Sequence, residues 1–204
     1  MGVVKLSTAG ILNYSKTSNF LSGNELPAGP SAFDLLETTT LTSSAASVTF
    51  SGLSAYSDYK HLQIRMVARS DFSNIYNDAL HANLTFNSDT ASNYNSHNLW
   101  ANGSQVYSQD EGNPSNISLR YTVAVGSNTT NGFAASVTDI LDFSNVYKNT
   151  TTRTLNGYTG GNNAPAIQLR SGLWRNTNAV TSMNIASNFG NFVSGTRFSL
   201  FGVR

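Results

Sequence analysis

Hydrophobic and polar residues alternate along most of this chain. Over residues 59–69, Leu62, Ile64, Met66 and Ala68 alternate with His61, Gln63, Arg65, Val67 and Arg69. A period of two sends successive side chains to opposite faces of a strand, so the first set can cover a core while most of the second meets water or a partner. Val48 and Phe50 repeat the pattern among Ser47, Thr49 and Ser51. So do Leu80, Ala82, Leu84 and Phe86 against His81, Asn83 and Thr85, and Ile117, Leu119, Tyr121, Val123 and Val125 against Ser118, Arg120, Thr122 and Ala124. Residues 134–143, 151–158, 166–174, 180–186 and 196–203 supply five later strands, each bounded by Gly, Asn or Ser clusters.

No amphipathic helix competes with these runs. About nine or ten strands, mostly with one polar face and no crossover helices, predict an all-β fold. The expected form is an antiparallel β-sandwich, jelly-roll-like in topology, over residues 46–204. Residues 1–45 differ. Ile11, Leu12, Tyr14, Phe20 and Leu21 are scattered among Ser, Thr, Asn and Gly, with Pro27 and Pro30 following, and no period of either kind holds. This segment reads as an extended N-terminal arm for attachment or subunit exchange, its apolar residues burying against a neighbour.

Composition sharpens the picture at the surface. Only 11% of the 204 residues are charged and the formal net charge is +1, against about 25% charged in ordinary domains. Ser and Asn together make up about a quarter of the chain. Faces so polar and so weakly charged suit packing against copies of the same chain, because few charges would lose water at the contact. A homo-oligomer, preferentially a trimer, is expected. Nothing in a charge of +1 draws nucleic acid or an anionic membrane. The opening Met-Gly-Val-Val-Lys has no leader pattern, and no apolar run approaches membrane-spanning length. With no cysteine in the chain, disulfides and thiolate chemistry are excluded.

Candidate chemistry is sparse. His61 and His81 fall on polar strand faces and read as surface residues; His97 lies in a turn-rich segment beside Trp100. Asp139 shares a face with Val137, Leu141 and Phe143, which predicts a buried carboxyl bonded to turn backbone rather than an acid working with Asp142. Asp71, Asp78, Asp89, Asp110 and Glu111 could offer oxygen to Ca²⁺, yet form no recognised calcium loop. No phosphate loop or nucleophile elbow is present. The chain is expected to be non-enzymatic and to carry no cofactor or metal.

Five blocks carry a resemblance: YKHLQIR at residues 59–65, LTFNSDTASNY at 84–94, DILDFSNVYKNTT at 139–151, LRSGLWRNTNAVTSMNI at 169–185 and FVSGTRFSLFGVR at 192–204. Together they resemble small virion structural proteins of tailed bacteriophages, of the capsid-decoration or tail-associated group. ILNYSKTSNFLSGN at 11–24 is similar to leader segments of such proteins. The resemblance implies a protein made in the bacterial host cytoplasm and carried on the outer surface of the virion, with other capsid or tail proteins as partners. In its leading form this is a capsid-decoration (cement) protein anchored by Ile11, Leu12, Tyr14, Phe20 and Leu21. The alternatives are a tail-fibre or tail-tip module, binding host-surface glycan through Trp100, Tyr107 and Trp174, or a connector subunit.

Overall fold

A computed structural model describes residues 32–73, 79–112, 114–125, 130–158 and 166–204. The arm residues Ile11, Leu12, Tyr14, Phe20 and Leu21 lie outside the described residues. Among those described, the chain forms twelve strands and one 3-10 turn, Leu53–Tyr56, with no α-helix. The strands are β1 (Phe33–Thr40), β2 (Ser47–Phe50), β3 (His61–Ala68), β4 (Ala79–Phe86), β5 (Tyr94–Ala101), β6 (Val106–Gly112), β7 (Ile117–Ala124), β8 (Ala134–Leu141), β9 (Thr150–Tyr158), β10 (Ala166–Trp174), β11 (Met183–Ser187) and β12 (Arg197–Val203). They make an eight-stranded sheet, β1-β12-β3-β8-β9-β10-β5-β6, and a four-stranded sheet, β2-β11-β4-β7. Every pairing within the sheets is antiparallel.

The order identifies the topology. With β5, β6, β9 and β10 set aside, the remaining eight strands pair first with last, second with seventh, third with sixth and fourth with fifth. That is a long hairpin rolled over two sheets, which is a jelly roll. The four strands set aside enter as two insertions, one between β4 and β7 and one between β8 and β11. They all join the same sheet edge and extend it past β8.

Burial explains why the eight-strand roll holds. Leu62, Ile64 and Met66 of β3 and Phe198 and Leu200 of β12 face Phe50, Leu84, Phe86, Met183 and Ile185 of the smaller sheet in one cluster, all nearly inaccessible to water. Each fully buried side chain of this size contributes roughly 1.5–3 kcal/mol of transfer free energy. Gly172 of β10 sits under a close approach of β7: a Cβ there would stand 2.8 Å from Ile117 and 2.4 Å from the Thr152 hydroxyl of neighbouring β9.

Several local expectations change. Residues 33–40, within the segment expected to be an arm, form β1 and pair with β12 across a bulge between Leu35 and Glu37. β5 and β6 were not anticipated, and His97 and Trp100 sit on the regular strand β5 rather than in a turn. Asp139 points outward. The buried face of β8 is Ala134, Ser136, Thr138 and Ile140, and Asp139 accepts bonds from Gln63 at 2.8 Å and from Arg153 at 2.8 Å. The alternation of β7 breaks where Arg120, Tyr121 and Thr122 lie opposite the single residue His81, with Tyr121 at φ 57°. Such a bulge re-aims side chains.

Candidate functional site

The insertion strands β9, β10, β5 and β6 carry the features least explained by folding alone. Their register runs across the sheet in rows. On the inner side one row is Tyr107, Trp100, Gln168, Asn156 and Ser136; the next is Gln109, Asn98, Arg170, Thr154 and Thr138. On the outer side one row is Ser108, Leu99, Leu169, Leu155 and Val137, and its neighbour is Val106, Ala101, Ile167, Gly157 and Ala135. In these rows the large aliphatic side chains face out, and the amides and the guanidinium face in.

The inner layer is built around Arg170, 2% exposed. It donates to Ser96 at 2.6 Å and pairs with Glu111 of β6. Arg120, carried on the β7 bulge, donates to the same carboxylate at 2.7 Å. Burial alone would raise the Glu111 pKa, but the Arg170 and Arg120 guanidiniums override it and hold the carboxyl below its ordinary range. Around this triad, Nε and Nη1 of Arg170, both amide atoms of Gln168 and of Asn98, and Oδ1 of Asn156 are buried without a protein partner.

An aromatic cluster stands at the mouth of this layer. Trp100 and Tyr107 stack across the β5–β6 pair with centroids 4.2 Å apart and planes at 18°. Tyr121, turned by the bulge, meets Trp100 at 5.5 Å and His81 edge-on at 6.0 Å. His81 is half-buried rather than a surface residue. Desolvation first, and the Arg120 charge second, push its pKa down to about 4, so the ring is neutral at pH 7 and its Nδ1 lies 3.3 Å from the Ser118 hydroxyl.

Two of the three expected glycan contacts therefore come together, and the third does not. Trp174 is 1% exposed and packs on Phe86 and Tyr94. Its indole N–H donates to Asp89 at 2.7 Å. An apolar ring with one satisfied donor belongs in a core, so Trp174 is not a surface contact. Asp89 is occupied in the same way: donors led by the Asn93 amide hold its carboxyl below the ordinary range. Asp71 accepts from the Asn191 backbone at 2.7 Å and Asp110 pairs with His97 at 2.9 Å. Asp78 lies outside the described residues, and among the described residues no three His, Asp or Glu side chains gather as a metal site.

The outer patch and the inner triad went unrecognised from sequence. Strand 166–174 alternates two sets, and nothing in it says that Ile167 and Leu169 face away from the core while Gln168 and Arg170 face into it. The chemistry on offer is binding: a flat aromatic pair backed by amides and guanidiniums on one side of the extension, and an apolar sheet surface on the other. No protein-family model, curated protein or solved structure matches this chain.

Proposed function

We propose that this chain is a non-enzymatic virion structural protein of a tailed bacteriophage, carried on the outside of the particle as a capsid-decoration protein and held there by its N-terminal arm. The observation that carries the reading is the placement of the five resembling blocks. They fall in order on β3, on the β4–β5 turn, on the β8–β9 connection, on β10 to β11 and on β12 of one jelly roll. This architecture recurs in viral capsid domains. Fold alone assigns no function, and the blocks supply the rest of the support. In this reading Ile11, Leu12, Tyr14, Phe20 and Leu21 bury against an adjacent virion protein.

Deleting residues 1–24 tests it. The shortened chain is expected to fold but to be lost from purified particles, and retained binding would overturn the arm model. Cryo-electron microscopy of intact particles separates the locations, since decoration predicts density repeated over the shell.

A second reading, glycan recognition at a tail tip, is favoured by the Trp100–Tyr107 stack. Aromatic faces beside amide groups suit the apolar face and hydroxyls of a sugar. Binding to host cells that disappears in a folded Trp100→Ala protein would support it over decoration; density confined to the tail would do the same.

A further inference from the structure

We propose that the outer face of β9, β10 and β5 is a self-association surface, on which two copies of this chain pack sheet against sheet about a two-fold axis. The proposal does not depend on where the protein sits in a particle. Leu99, Leu155, Ile167, Leu169 and Val106 are 51%, 56%, 61%, 49% and 69% exposed and adjoin one another through the strand register.

Size and shape both favour a second copy. Counted from β6 to β8, five strands at about 4.8 Å spacing and eight residues at about 3.3 Å span a flat area of roughly 630 Å². The accessible surface of such a face is commensurate with the roughly 800 Å² per partner of a standard interface. The face also carries its own complement. Ile167 stands between Ala101 and Gly157, a knob flanked by two shallow places, beside the continuous ridge of Leu99, Leu169 and Leu155. Like surface on like surface lets the Ile167 knob of each copy settle onto the small residues of the other, and a self-complementary contact of this kind closes with two-fold symmetry.

Charge points the same way. The next row on this face holds the pairs Arg153–Asp139 at 2.8 Å and His97–Asp110 at 2.9 Å. The Arg153–Asp139 charges are already matched within one chain, so at that pair a facing copy presents no uncompensated like charge. Asn95, Thr151, Ser171, Leu173 and Arg175 line a shallow groove beside them, a rim of mixed polar and apolar groups around the apolar centre.

Sedimentation velocity of the full chain across micromolar concentrations tests the proposal. A dimer in reversible exchange with single chains is expected. Leu169→Asp should weaken association by at least about a hundredfold, since it buries a charge in the contact. Gly157→Arg is the second variant. The backbone there tolerates a side chain, the nearest atom to a Cβ being the Ala166 carbonyl oxygen at 3.9 Å, so it should keep the urea midpoint of a single chain while abolishing the dimer. Because the chain has no cysteine, Leu169→Cys also gives one unambiguous attachment point. Faces packed about 10 Å apart lie within reach of a short bis-maleimide, whereas Leu35→Cys, on exposed β1, should not cross-link. A single-chain species at every concentration, a trimer, a dimer indifferent to both surface variants, or equal cross-linking at Leu35 would each overturn the proposal.

Discussion

In β3 and β12 the inward positions are Leu62, Ile64, Met66, Phe198 and Leu200, and the outward ones include His61, Arg65 and Arg197. In β10 and β5 the central inward positions are Gln168, Arg170, Ser96 and Asn98, with Trp174 and Tyr94 at one end, and the outward ones include Ile167, Leu169 and Leu99. These two halves belong to one continuous hydrogen-bonded sheet. The difference follows from what lies opposite. The first half is covered by the four-stranded sheet, while the second is met chiefly by β7, the last strand of that sheet. Backbone pairing holds a strand in a sheet whatever its sidedness, and the facing layer decides which side must be apolar.

The largest test of that contrast lies in the covered half. Phe198→Ala removes a fully buried ring that packs edge-on against Phe192 at 5.1 Å, and should cost about 3–5 kcal/mol in urea unfolding. In the extension, Arg170→Met should cost less, about 2–3 kcal/mol. Glu111 keeps Arg120 as a partner and so is not left as an isolated buried charge. A loss equal to that of Phe198→Ala would erase the distinction between the halves.

Acid titration isolates the bulge. His81 has a folded pKa of about 4 against an ordinary 6.5, so the unfolded chain takes up the proton first. The stability tied to the neutral ring is complete above pH 6.5, declines as pH falls, and is fully lost below about 4. At roughly 1.4 kcal/mol per unit the ceiling is about 3 kcal/mol, which solvent screening lowers to about 2. His81→Asn should flatten thermal stability between pH 6.5 and 4. Glu111, whose carboxyl is held below its ordinary range, loses its contribution only below the normal carboxylate pKa, so the two effects separate on the pH axis. The smallest effect belongs to Gln168→Leu, which should be neutral or stabilising by about 1 kcal/mol because neither amide atom has a protein partner. A marked destabilisation would mean that the inner layer works as a complete polar network.

The contrast also explains what the amino-acid pattern revealed. Where a strand is covered on one side and solvated on the other, as in β3, β4 and β12, period-two alternation identifies both the strand and its buried face. The two-sheet sandwich and its jelly-roll order follow from such strands. β6 escapes the pattern because VYSQDEG is almost wholly exposed and buries nothing to alternate. β5 escapes because its inward Ser96 and Asn98 look like a polar loop. On β8 the strand is legible but its sidedness is not: Val137, Asp139 and Leu141 form the more apolar-looking set, yet the smaller Ser136 and Thr138 fit inside, where Thr138 bonds Thr154 at 2.9 Å. Of the aromatic residues, Trp100 is next to last in β5 and Trp174 is last in β10. Only the three-dimensional register separates the one stacked on Tyr107 from the one sealed behind Asp89.

The pairing of β1 with β12 bears on how the molecule is made. The Thr38 hydroxyl donates to the Ser199 hydroxyl across 161 residues of sequence, and β2 waits almost as long for β11. A ribosome releases the early strands well before either partner exists. The nascent chain therefore carries β1 and β3 with an open edge until β12 emerges, and it completes its sheets only by slow, long-range closure. Weakly charged, Ser- and Asn-rich outer faces give those waiting strands a hydrated surface during the delay, and a chain stalled before residue 197 should remain unable to close.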